Sequence, residues 1–284
     1  MENHSNKKLK TILFAAAIAL TNILLHRLNG MLLRKLPIEN YWYQRLLIQT
    51  GSALIACGYL FAFRKQFVLR EKGSNVRTYW VPLLILLLYC TRTTMTGLRD
   101  AGGAPLRPVT EILSFVLTML LVGVSEELVH RGVIMNLLTS GFGIRSFGGA
   151  IASCLIGGTF FGLIHLFNLF SEIDPFAVLM QTASATGMGW VLCALYLRCR
   201  NIYVMILVHA LVDFSGMFGA GMFAGKGTAE STISEMSVLA EQPIAVTLCS
   251  LAITLMLFAG MTLLLLRNGK MHYTQPETVS ADAA

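Results

Sequence analysis

Three groups of ionisable side chains stand inside long apolar runs of this 284-residue chain, and their types are those that handle protons, water and metals. The first is Glu126-Glu127-Leu128-Val129-His130-Arg131. On a helix, Glu127 and Arg131 are four apart and share a face, so they can pair. Glu126 lies about 100° round, on the face of His130, and is left free to act as a base or ligand. The second group is His165, four residues after Phe161, in an apolar run where Gly158 and Gly162 are spaced for close helix contact. The third is His209 with Asp213, an imidazole and a carboxylate at i,i+4, as when an aspartate orients a catalytic or metal-binding histidine.

Each group also has a plain structural reading: a pair of i,i+4 salt bridges, a buried hydrogen-bonding histidine, a local His–Asp bond. A charge in hydrocarbon costs at least about 2.5–3.5 kcal/mol, so such residues face a bundle interior and mark function. One carboxylate and two histidines on separate helices commonly hold a water or a metal, and one shared site explains the groups better than three separate roles. Glu111, near a helix start, is expected to be interfacial and structural. Other chemistries fit less well. There is no H-E-x-x-H zinc motif, no second Glu-x-x-His for a di-iron centre, and one membrane aspartate where an aspartyl protease needs two. Ser153 and Ser184 are not singled out as nucleophiles.

The elements that must position these groups follow from composition. Charged residues are 13% of the chain, about half the roughly 25% of soluble proteins. This indicates an all-α, polytopic membrane protein. The net charge of +7 sits in short clusters between apolar runs, as in helices oriented by positive loops; nucleic-acid binding is not expected. The six cysteines form no CxxC pair, which argues against a disulfide framework and a cysteine zinc cluster. A spanning helix needs about 20 mostly apolar residues, and eight segments are predicted: 9–25, 44–63, 79–96, 110–136, 148–170, 175–197, 202–224 and 244–266. The third is the weakest, interrupted by Arg92. The first is read as a retained helix, since Asn22, His26 and Arg27 follow it where a leader would carry small residues.

The chain is read as a single membrane domain, 1–284, with a motif-bearing core at about 110–215 and polar tails at 1–6 and 270–284, expected to be mobile. Positive charge at Arg64, Lys65, Arg70, Lys72, Arg77, Arg145, Arg198, Arg200, Arg267 and Lys270 predicts both termini in the cytoplasm. The acidic balance of Glu172 and Asp174, and of Glu230, Glu235 and Glu241 against Lys226, agrees; Arg27, Arg34, Lys35 and Arg45 in the first loop do not. Depth poses a further question. At about 1.5 Å per residue, His209 lies ~10 Å from residue 202 and His165 ~25 Å from residue 148. A shared site therefore predicts that residues 126–150 sit deep or are irregular, with Gly141, Gly143, Gly148 and Gly149 as the permissive positions.

E-E-x-x-x-R, then F-x-x-x-H, then H-x-x-x-D, in order on successive core helices and with Gly132 after the arginine, resembles the CPBP family of intramembrane proteases, also known as CAAX proteases or the abortive-infection family. The resemblance covers about residues 110–215. It implies a membrane endopeptidase in which Glu126 and His165 activate the water, His209 and Asp213 stabilise the oxyanion, and Glu127 and Arg131 support them. The best-known eukaryotic members carry Asn where this chain has Asp213. An ionised Asp cannot donate to an oxyanion, so Asp213 is expected to orient His209 instead. The family is filed among metallopeptidases. One expectation is a divalent metal, zinc, at Glu126, His165 and His209; the other is water activated by Glu and His alone. The implied partners are a membrane protein or peptide substrate, prenylated or not, and the lipid bilayer. The rival readings are a catalytically silent membrane interaction or immunity protein of the same fold and, more distantly, a proton-coupled transporter.

Overall fold

Polar side chains start the helices where loop gives way to apolar run. Asn40 accepts from the amides of Trp42 and Tyr43, Ser146 from Gly149, Asp174 from Ala177, and Asn201 from Tyr203 and Val204. These caps satisfy donors that the first turn leaves open, and Pro175 follows Asp174 at a position where its missing N–H costs nothing. The computed structural model describes residues 2–144, 146–171, 173–228, 232–233 and 244–267. The positions Arg145, Glu172, Glu230, Glu235, Glu241 and Lys270, used above for orientation, and the tail 270–284, lie outside the described residues.

In chain order the helices are α1 (Glu2–Leu33), α2 (Tyr41–Ala62), α3 (Trp80–Ala101), α4 (Val109–Glu127), α5 (Asn136–Phe142), α6 (Phe147–Leu163), α7 (Pro175–Cys199), α8 (Ile202–Gly216), α9 (Phe218–Met222) and α10 (Ile244–Arg267). A π-helical stretch, Leu128–Met135, joins α4 to α5, and a 3₁₀ stretch, Ile164–Phe170, extends α6. The described residues form an all-α membrane protein. Seven helices are long and apolar enough to cross a bilayer, and their outer faces carry side chains such as Leu54, Leu88 and Leu257, which suit lipid. Polar residues 2–6 do not form a separate tail: the helix runs out to Glu2, since each added residue gains one backbone bond.

The predicted eighth span, 202–224, is corrected. α8 has 15 residues, about 22 Å of helix against the ~30 Å hydrocarbon core. At Met217 the chain turns, and α9 folds back onto the loop after α3. There Arg107 N–H donates to the Met222 carbonyl, Ala224 N–H to that of Pro105, and the Arg107 guanidinium to that of Ala220. Gly221 permits this, because a side chain there would run into the Phe115 ring. Glu111, expected to be structural, pairs with Arg107 at 3.0 Å beside this turn.

Close helix contact at Gly158 is met: a Cβ there would lie 2.6 Å from the Gly189 carbonyl carbon on α7. The irregularity predicted for residues 126–150 falls on the π stretch rather than on the glycines. Gly141 is helical, Gly143 ends α5, and Gly148 and Gly149 open α6. Asn136 donates to the carbonyls of Arg131 and Gly132, which the wider π turn releases, and to the Tyr196 hydroxyl. Tyr196 donates to Glu71, which pairs with Arg200. Ser74 bonds the carbonyls of Arg198 and Cys199. The segment 66–78 thus covers the α7–α8 turn, where Cys199 and Ile202 are fully buried, so α8 starts beneath other chain.

Candidate active site

The site forms where α4, α6 and α8 meet. Gly123 lets α8 approach: a Cβ on it would stand 2.6 Å from the Ile206 carbonyl oxygen and 3.3 Å from the Ala210 nitrogen. Glu126 and Glu127 are the last residues of α4 before the π stretch. The Glu127 and Arg131 side chains are wholly buried and paired at 2.8 Å, as their spacing predicts. The same Glu127 oxygen, Oε1, also lies 2.6 Å from His209 Nδ1. Glu127 therefore bridges the arginine of its own helix and the histidine of α8, a contact between elements that helical spacing could not reveal.

His209 is thus held at Nδ1 by Glu127 as well as contacted by Asp213, the residue expected to orient it. Asp213 Oδ2 stands 3.4 Å from the other nitrogen, Nε2, and Glu126 Oε2 stands 3.7 Å from it. His130, expected on the face of Glu126, does not pair with it. Both of its ring nitrogens lack a hydrogen-bond partner among the described residues, and its ring packs edge-on against Phe161 at 5.1 Å.

Phe161 is the hub that sequence reasoning noted only as part of a pattern. His165 and His209 also stand edge-on to its ring, at 5.4 Å and 5.6 Å, and the Arg131 guanidinium lies over it at 4.7 Å. An aromatic edge-to-face contact is worth about 0.5–1.5 kcal/mol, so three such neighbours and the cation over its face fix the ring and the ring fixes them. His165 Nδ1 lies 3.0 Å from the Phe161 carbonyl. Donation there leaves Nε2 with its lone pair, the tautomer that a base or a ligand needs.

Glu126, His165, His209 and Asp213 line one cavity of about 240 Å³. A second cavity of about 540 Å³ shares His165, His209 and Asp213 with it and is walled by Met188, Leu192, Val212 and Phe258. The four residues singled out as catalytic are thus brought together, with Glu127 and Arg131 buried behind them. The first cavity also takes His26, Arg27 and Arg45 from α1 and α2, which the motifs did not include. Arg27 ties α1 to the 3₁₀ stretch after His165, donating to the Phe167 carbonyl, to Asn168 at 3.2 Å and to Ser171 at 3.1 Å. Among the described residues no group of three His, Cys, Asp or Glu side chains is gathered closely enough to hold a metal ion. A zinc site at Glu126, His165 and His209 does not fit this geometry.

Comparison with known proteins bears on the same segment. The family model described as Rce1-like, type II CAAX prenyl endopeptidase Rce1-like, matches residues 108–215, the stretch that carries α4 to α8. No curated protein matches the chain. The matched segment holds Glu126, Glu127, Arg131, His165, His209 and Asp213 in one bundle, and over this segment the chain is similar to the type II CAAX prenyl endopeptidases.

Proposed function

We propose that this protein is an intramembrane endopeptidase in which Glu126 and His165 activate a water against a peptide bond of a membrane-associated protein or peptide. The observation that carries this reading is the cavity in which Glu126, His165, His209 and Asp213 converge. Glu126, partly exposed to it at 27%, takes a proton from the water while His165 Nε2 orients the water's second hydrogen. The oxygen attacks the carbonyl carbon. His209 then donates from Nε2 to the oxyanion, held in place by Glu127 at Nδ1. When the C–N bond breaks, Glu126 passes its proton to the leaving nitrogen, giving a carboxylic acid and an amine. Asp213, 3.4 Å from His209 Nε2, is the carboxylate that faces this N–H before the oxyanion forms.

The adjoining apolar cavity supports a hydrophobic chain beside the scissile bond, and a prenylated CAAX-type peptide is the substrate class it suits. The test is cleavage of a farnesylated CAAX peptide beside its unprenylated twin by the purified protein in detergent. The expected result is release of the C-terminal fragment from the farnesylated peptide at higher kcat/KM. Equal rates would remove the prenyl preference, and no cleavage of these or of a membrane-peptide pool would favour the silent-scaffold reading.

A further inference from the structure

A small cavity of about 50 Å³ is lined by Glu126 but not by His165. A water needs roughly 10–15 Å³ of such space and two to four polar partners, and this cavity offers His26, Ser52, Ser125 and Glu126 among its walls. It shares His26, Glu126 and Ile164 with the larger catalytic cavity, so the two adjoin at those side chains. His26 comes from α1 and Ser52 from α2, outside the segment that matches the family.

The hydrogen bonds around His26 define its role. Ser52 Oγ donates to the Ile48 carbonyl at 3.0 Å, which uses its one hydrogen. It then accepts from His26 Nδ1 at 2.7 Å and from the Asn29 amide at 3.3 Å. His26 is thereby held with Nδ1–H turned to Ser52 and the Nε2 lone pair available to a water in the cavity. A water in this cavity would donate one hydrogen to Nε2 and the other to the Glu126 carboxylate.

Resting on the hydrolytic reading above, we propose that this chamber holds the reserve water of the site and that His26 is a positioning residue for Glu126. Each turnover consumes one water at a depth where lipid supplies none. The chamber replaces it, and its water keeps one carboxylate oxygen of Glu126 turned away from the oxygen that takes the proton.

The test uses the full-length protein in detergent with any substrate that the wild type cuts. His26→Phe and Ser125→Leu fill the chamber, and kcat should fall at least about tenfold in each, roughly 1.4 kcal/mol of barrier, with KM within about twofold. His26→Gln restores a polar group at the chamber and should recover most of kcat. Wild-type kcat in His26→Phe would overturn the proposal, as would a rise in KM with kcat unchanged. A wild type that cuts nothing counts against the protease reading, and a second measurement then decides this one. In radiolytic hydroxyl footprinting, Ile55, which lines the chamber and not the larger cavity, should be oxidised in the wild type and protected in Ser125→Leu. An unlabelled Ile55 in the wild type would overturn the chamber whether or not a substrate is in hand, and the same reading stands if the filled variants fail to fold.

Discussion

At the scale of single residues, Glu127 does two jobs through one oxygen, and its removal should show both. Glu127→Ala leaves Arg131 buried without its carboxylate, which should lower stability by about 3–5 kcal/mol, the usual result of breaking a buried pair. It also frees His209 Nδ1, so kcat of the surviving folded fraction should drop at least about tenfold, as when an orienting partner is lost. Thermal unfolding in detergent and kcat on the folded fraction check the two separately; a normal midpoint would contradict the first. The same geometry predicts that metal is dispensable. Activity should persist after chelation and dialysis against metal-free buffer, and loss with rescue by zinc would show that the ligand set closes only with the ion present. The Glu127–Arg131 pair was legible from helical period alone. The Glu127–His209 bond was not, because it joins residues 82 positions apart, and a spacing rule sees only one helix at a time. Asp213 was read as the orienting group from its i,i+4 spacing, and it does stand 3.4 Å from His209; the shorter bond from Glu127 on another helix is the part that spacing could not show.

At the scale of elements, most helices were legible because apolar run length and polar caps act locally. The failures have tertiary causes. α8 ends early because α9 turns back to bond the Pro105–Arg107 loop, and the π stretch replaces a regular turn where Asn136 can satisfy the carbonyls it frees. Arg131 and His130, both in this stretch, pack against Phe161. Asn136→Leu removes these bonds inside the bundle and should destabilise the protein by about 1–3 kcal/mol, read as a lower midpoint in detergent. An unchanged midpoint would mean that the π carbonyls have other partners. Close approach of α4 and α8 rests on Gly123. Gly123→Val would push Ile206 and Ala210 away and take His209 with them, so kcat should fall more than stability does. Overpacking costs typically about 1–3 kcal/mol, and a variant with full activity would show that the helices can separate without disturbing the site.

At the scale of the whole molecule, the bundle places polar groups inside and leucines outside, and the low charge content already demanded this. What the composition could not show is that α1 and α2 complete the site: His26, Arg27 and Arg45 reach the catalytic cavity, yet nothing in their local sequence marks them as more than loop-flanking polar residues. The ends of α7 and α10 meet, with Arg198 donating to the Leu265 carbonyl, so the chain returns across the bundle between Cys199 and Ile244 although α8 alone is too short to span it, and from the charge bias both termini are expected in the cytoplasm. Single cysteines placed at residues 3 and 280, in a background with the six native cysteines replaced, should be labelled by a membrane-impermeant maleimide only after permeabilisation. Labelling of both in intact cells would invert the topology and place segment 66–78 on the opposite side. The measurement closest to the central claim is hydrolysis itself at Glu126. Purified wild type and Glu126→Gln would be incubated with a membrane-peptide pool in ¹⁸O-water and the products read by mass spectrometry. The account predicts fragments carrying ¹⁸O in a new carboxyl group from the wild type, and a rate lower by about 10²–10⁴ in the variant, the range of general-base catalysis. Cleavage by Glu126→Gln at the wild-type rate would contradict it.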